Sequence, residues 1–146
     1  MSILHPSSNI ASEVNLNLEA FLKDFSIEVM PRTAAKIENF CDILPQQTLI
    51  YIAHIEGTPI KEMVDTAKRL VDEGFDVMPH FPARIIKNHA TLVDWIKRYQ
   101  NESGVKQALL LAGGVDKPYG EYQCSMDLLE TGEFDKAGFT NLHVAG

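Results

Sequence analysis

Cysteine is scarce and unpatterned in this chain: two in 146 residues, Cys41 and Cys124, with no Cys-x-x-Cys spacing and no Cys/His cluster. That argues against a disulfide scaffold or a zinc ribbon and suits a reduced, cytoplasmic protein. Basic charge is also short. Thirteen Lys and Arg against 20 Asp and Glu leave a formal charge of −7, without the footprint of a nucleic-acid or anionic-membrane binder, and neither is expected as a partner. No apolar run approaches the roughly 20 residues that cross a bilayer. The opening Met1-Ser2-Ile3-Leu4-His5-Pro6 has no basic stretch followed by an apolar one, so no secretory signal is expected. Without an export signal, the sequon Asn101-Glu102-Ser103 reads as a chance match. No Gly/Ser linker, low-complexity tract or like-charge block divides the chain, which predicts a single domain over 1–146.

What is present is a repeated alternation. Val14, Leu18, Phe21, Leu22 and Phe25 recur at helical spacing and predict an opening helix over about residues 12–24. A strand follows at residues 26–30, then a helix over 33–44 with Ala34, Ile37, Phe40 and Cys41 as its apolar stripe. Residues 48–53 are almost continuously apolar, the mark of a strand buried on both faces. The next helix spans 58–73, with Thr58 as cap, Pro59 at its first position, Asp65 and Arg69 as an i,i+4 pair, and Gly74 as its stop. Strands at 75–81, 107–112 and 141–146, with a helix marked by Leu92, Trp95, Ile96 and Tyr99 and another over 125–130, complete the pattern.

Strands separated by helices, on connections too long for hairpins, require a parallel sheet. The turn after the first strand, Met30-Pro31-Arg32-Thr33, has no glycine, unlike open-sheet nucleotide folds. Glu28, His54, His80 and Asp116 fall at or beyond strand ends, where β/α barrels place their chemistry. The expected fold is therefore an α/β half-barrel, about five parallel strands of a TIM-type barrel preceded by an N-terminal helix.

Glu28 alternates with Ile27 and Val29 and is expected to be buried, which would favour its protonated form and fit it for general acid work. The bland alternative is an interior carboxylate held by Arg32 or by backbone amides. His54 and His80 could contact a ligand or be structural. Their spacing matches no zinc motif, and no metal is expected. Gly113 and Gly114, beside Asp116, let backbone amides approach a ligand, though a tight turn would also want glycine.

Together, Ser26-Ile27-Glu28-Val29-Met30-Pro31-Arg32-Thr33, Met78-Pro79-His80-Phe81, Leu109-Leu110-Leu111-Ala112-Gly113-Gly114-Val115-Asp116 and His143-Val144-Ala145-Gly146 resemble the methylenetetrahydrofolate reductase family. The resemblance implies a flavin-dependent β/α barrel that reduces methylenetetrahydrofolate to methyltetrahydrofolate, with FAD as cofactor and NAD(P)H as electron donor. It implies Glu28 as the acid and Asp116 beside the flavin ring and the folate. His54, His80, Gly113 and Gly114 would contact the flavin, with Ser125, next to Cys124, on its phosphate side. Val29-Met30 stands where the family has an aromatic run, Ala112-Gly113-Gly114 where it has an arginine, and Ala53 or His54 where it has a hydroxyl residue. The family continues for three more strands. The expectation is therefore a catalytic half whose barrel is completed by a homo-oligomeric partner or a separate chain. The alternative is a truncated, non-catalytic relative serving as a ligand-binding or interaction module.

Overall fold

A computed structural model describes residues 18–145. Residues 18–21 are helical, and the rest of the expected opening helix up to residue 17 lies outside the described residues. Five strands follow: β1 (Ser26–Val29), β2 (Leu49–Ile52), β3 (Asp76–Pro82), β4 (Gln107–Leu111) and β5 (Asn141–Val144). They form one sheet in the order β1-β2-β3-β4-β5, every neighbouring pair parallel. Helices α1 (Pro31–Ala34), α2 (Ile60–Asp72), α3 (His89–Arg98), α4 (Ser125–Glu130) and α5 (Glu133–Lys136) lie in the connections. The sheet is open, and the fold is an α/β half-barrel. Among the described residues no helix is long and apolar enough to cross a membrane.

Strand parity sorts the side chains between two faces. Ile50, Ile52, Val77, Phe81, Ala108 and Leu110 point one way and pack with Met63, Val64, Ala67 and Leu70 of α2 and Leu92 and Ile96 of α3 in one buried core. Full burial of a large aliphatic side chain is worth about 1.5–3 kcal/mol, so this face carries most of the stabilisation. Phe81 also meets Phe134 edge to face at 5.0 Å, and Phe139 packs on both, which docks α5 and directs the chain into β5.

β3 runs through Pro79 to Pro82, one residue beyond the expected 75–81. It pairs with β2 through Asp76–Pro79 and with β4 through His80–Pro82. The changeover between neighbours thus falls at the residue that has no amide to donate.

The expected helix over 33–44 is broken. Only Pro31–Ala34 is α-helical, with a 3-10 turn at Phe40–Asp42. The cause lies on α2. Arg69 donates to the carbonyls of Ala34 (3.1 Å), Ile37 (2.6 Å) and Glu38 (3.0 Å), and to Glu73 Oε1 at 2.7 Å. Glu73 Oε2 in turn accepts the Phe40 amide at 3.0 Å. Backbone groups that a continuous helix would pair internally are satisfied from another element. The expected Asp65–Arg69 pair does not form, since Asp65 pairs with Lys61 at 2.6 Å. Thr58 does not cap α2 either: Pro59 occupies the cap position, and the Thr58 carbonyl faces His54 at 3.0 Å.

Candidate functional site

The face opposite the core carries the chemistry. Glu28, Tyr51 and Met78 share one register across β1, β2 and β3, and His80, Leu109 and His143 share another across β3, β4 and β5. All six therefore point to the same side. The Tyr51 hydroxyl and His143 Nδ1 share a hydrogen bond of 3.1 Å. Their strands are three intervals apart, roughly 14 Å along a flat sheet. Side chains from β2 and β5 meet only because the sheet curls toward them, so this is the concave, barrel-interior face.

Glu28 and His80 also meet across an intervening strand, with Oε2 and Nε2 3.2 Å apart. That is ion-pair distance, but the angles do not make a hydrogen bond, and Nε2 is buried without one. Burial pushes the His80 pKa down, with the Glu28 carboxylate pulling the other way. The burial expected for Glu28 is not observed: its side chain is 58% exposed. As β1 is an edge strand of an open sheet, nothing among the described residues closes over that side of the carboxylate. The Tyr51 ring lies 6.3 Å from the His80 ring, edge-on, and 6.3 Å from the His143 ring.

His54 belongs to a second locality. It is buried, stacks on Trp95 of α3 at 4.7 Å, and sits with Nε2 3.0 Å from the Thr58 carbonyl. A carbonyl can only accept, so Nε2 holds the proton. Burial pushes the pKa of His54 down; the Thr58 carbonyl opposes this and nearby His80 adds to it. Its Nδ1 is then a buried acceptor without a partner. His54 lines a cleft of ≈ 250 Å³ together with Ile55, Glu56, Pro82, Ile85, Gly114 and Val115, formed by the segments that follow β2, β3 and β4. The structure thus brings His54 and Gly114 together, and separately Glu28 and His80.

The two glycines part company. Gly113 has φ +94°, and a Cβ there would sit 3.0 Å from Pro82 Cβ, so the turn itself requires glycine. At Gly114 a Cβ would meet nothing within 4 Å, which leaves space in the cleft that packing does not explain. Asp116 is exposed in the same loop and does not line the cleft. Ser125 is buried at the start of α4. The adjoining amides of Gln123 and Cys124 donate to Asp127 at 2.6 and 3.1 Å, holding that carboxyl below its ordinary range. This loop end therefore already has its own anion.

Three contributors were not read from the sequence. Arg84 pins the loop after β4, its Nε donating to the Gln123 carbonyl at 3.0 Å and its Nη1 to that of Val115 at 3.3 Å. Tyr51 was submerged in an apolar strand, and His143 entered only as an anchor of a resemblance. Strand parity was the available signal, since both share the face of Glu28. Among the described residues no group of three or more His, Cys, Asp or Glu could hold a metal ion. No family model matches the chain.

Proposed function

We propose that this chain is the catalytic half of a cytoplasmic, methylenetetrahydrofolate reductase-like flavoprotein. It reduces methylenetetrahydrofolate to methyltetrahydrofolate with NAD(P)H once another copy or a separate chain completes its barrel. The observation that carries the reading is the Glu28–His80 pair on the concave face, 3.2 Å apart. A carboxyl group there can give a proton to a substrate nitrogen, and the neighbouring imidazole, nearly stripped of water, can bias and replace that proton.

The residues present suit a flavin in part. The unpartnered Nδ1 of His54 and the open space at Gly114 would receive one end of a flat heterocycle bearing an N–H donor. The cleft of ≈ 250 Å³ is below the range usual for a whole cofactor, as expected if a completing chain supplies the rest. When bound, the flavin would carry the hydride between nicotinamide and folate. Asp116 lies in the adjoining loop as an acceptor, and Ser125 contributes least, because Asp127 already takes the amides beside it.

The second reading, a non-catalytic ligand-binding or interaction module, is favoured by the 58% exposure of the Glu28 side chain, since a general acid gains from a dry environment. Turnover separates the two. On the reductase reading, Glu28→Gln abolishes folate reduction and leaves NAD(P)H oxidation by a quinone acceptor intact. Equal loss of both reactions, or neither reaction in the unaltered protein at any concentration, favours the module.

A further inference from the structure

We propose that Tyr51 and His143 form a second acid–base pair of the concave site. In it, the phenol exchanges a proton with the bound substrate and His143 carries that proton to and from water. The inference rests on the reductase reading only for the identity of the substrate.

Four observations carry it. Both side chains lie on the face of Glu28 and His80 by strand register. Their polar atoms are hydrogen-bonded at 3.1 Å. The Tyr51 and His80 rings stand edge-on with centroids 6.3 Å apart. In the first pair buried His80 stands beside exposed Glu28, whereas Tyr51 and His143 are both half-buried, so the second pair stays within reach of solvent and of a ligand on this face. His80 and Tyr51 thus flank one region of the face, and Tyr51 has a hydrogen-bonded partner able to exchange its proton.

The step is a proton transfer without redox change. With the proton of neutral His143 on Nδ1, that N–H donates to the Tyr51 oxygen and leaves the phenolic hydrogen free to turn toward a ligand. The phenol O–H bond breaks as its proton passes to a basic atom of the substrate. The Nδ1 proton moves to the phenolate oxygen, and Nε2 takes one from a solvent water, whose broken O–H bond releases hydroxide to bulk and leaves the imidazole neutral. The reverse sequence removes a proton from the substrate. Were the imidazole proton on Nε2 instead, Nδ1 would accept from the phenol and occupy the only hydrogen Tyr51 has to give. A clasp that merely held the curvature of the sheet would work in either tautomer.

Nitrogen-15 NMR of the imidazoles in the full chain tests the assignment without any ligand. The expected result is His143 protonated on Nδ1, shifting to the Nε2 form in Tyr51→Phe. A His143 proton on Nε2 in the unaltered chain, or a tautomer indifferent to Tyr51→Phe, overturns it. Methyltetrahydrofolate is the second probe. In protein that takes up FAD, its addition should move the His80 and His143 signals together, and Tyr51→Phe should weaken its binding about tenfold, the loss of one hydrogen bond. Uptake of FAD with methyltetrahydrofolate bound equally well by Tyr51→Phe defeats the second pair and spares the reductase. Failure to take FAD or methyltetrahydrofolate defeats the reductase, and the tautomer still decides the pair.

Discussion

His80 Nε2 on β3 lies 3.2 Å from Glu28 Oε2 on β1, the two reaching over β2. The carboxylate raises the histidine pKa while burial, the larger effect, lowers it. Replacing Glu28 by Gln removes the opposing attraction and keeps the shape. An NMR titration should then place the His80 pKa lower than in the unaltered protein; an unchanged or higher value would show that the carboxylate does not act on the ring.

Acid should destabilise the fold in a definite window. His54 and His80 both have pKa values below the ordinary 6.5, so below that pH the unfolded chain binds more protons than the folded one. Their contribution is fully present above about pH 6.5 and is lost as the pH falls toward and through the lowered folded values. Denaturant midpoints should fall on acidification across this window, with a shallower slope in His54→Gln. Midpoints that rise on acidification would contradict the account.

Arg69 is the main tie between α2 and the segment after β1. It serves three backbone carbonyls and Glu73, and its guanidinium carbon lies 5.5 Å from the centre of the Phe40 ring. Removing it leaves part-buried acceptors unpaired, so Arg69→Ala should cost about 2–4 kcal/mol of stability. Arg69→Lys should recover little, because one ammonium cannot span the same fork of acceptors. Chemical denaturation measures both, and a loss within about 0.5 kcal/mol would mean that the tie is only surface decoration.

This tie also explains where the sequence was legible and where it was not. All five strands were readable because each is a short run, apolar as in β2 and β4 or alternating as in β1 and β5, and that pattern is local. The helix over 33–44 was misread because its carbonyls are claimed by Arg69, more than thirty positions away. Glu28 and His80 could be singled out from their places on strands. The exposure of Glu28 could not, because it depends on how far the sheet closes. Tyr51 and His143 are 92 positions apart and meet only through curvature, which no local pattern encodes.

The three glycines of the loop region should rank by geometry. Gly120→Ala should be the most damaging, because its Cβ would fall 2.2 Å from the Lys87 carbonyl oxygen. Gly113→Ala, at φ +94° and against Pro82, should cost about 1–3 kcal/mol. Gly114→Ala should change stability by less than about 0.5 kcal/mol while weakening any ligand that enters the cleft. Thermal melts give the order; a Gly114→Ala loss as large as that of Gly113→Ala would remove the reason for treating Gly114 as ligand space.

The central claim in its self-sufficient form is that this half-barrel takes up flavin when a second copy completes its barrel, and titration of the purified chain with FAD during sedimentation tests it most directly. The account predicts flavin absorbance that sediments with a dimer or larger species, grows with protein concentration, and is weakened in Gly114→Ala. Protein that remains monomeric and colourless at saturating FAD, alone and at high concentration, would contradict it.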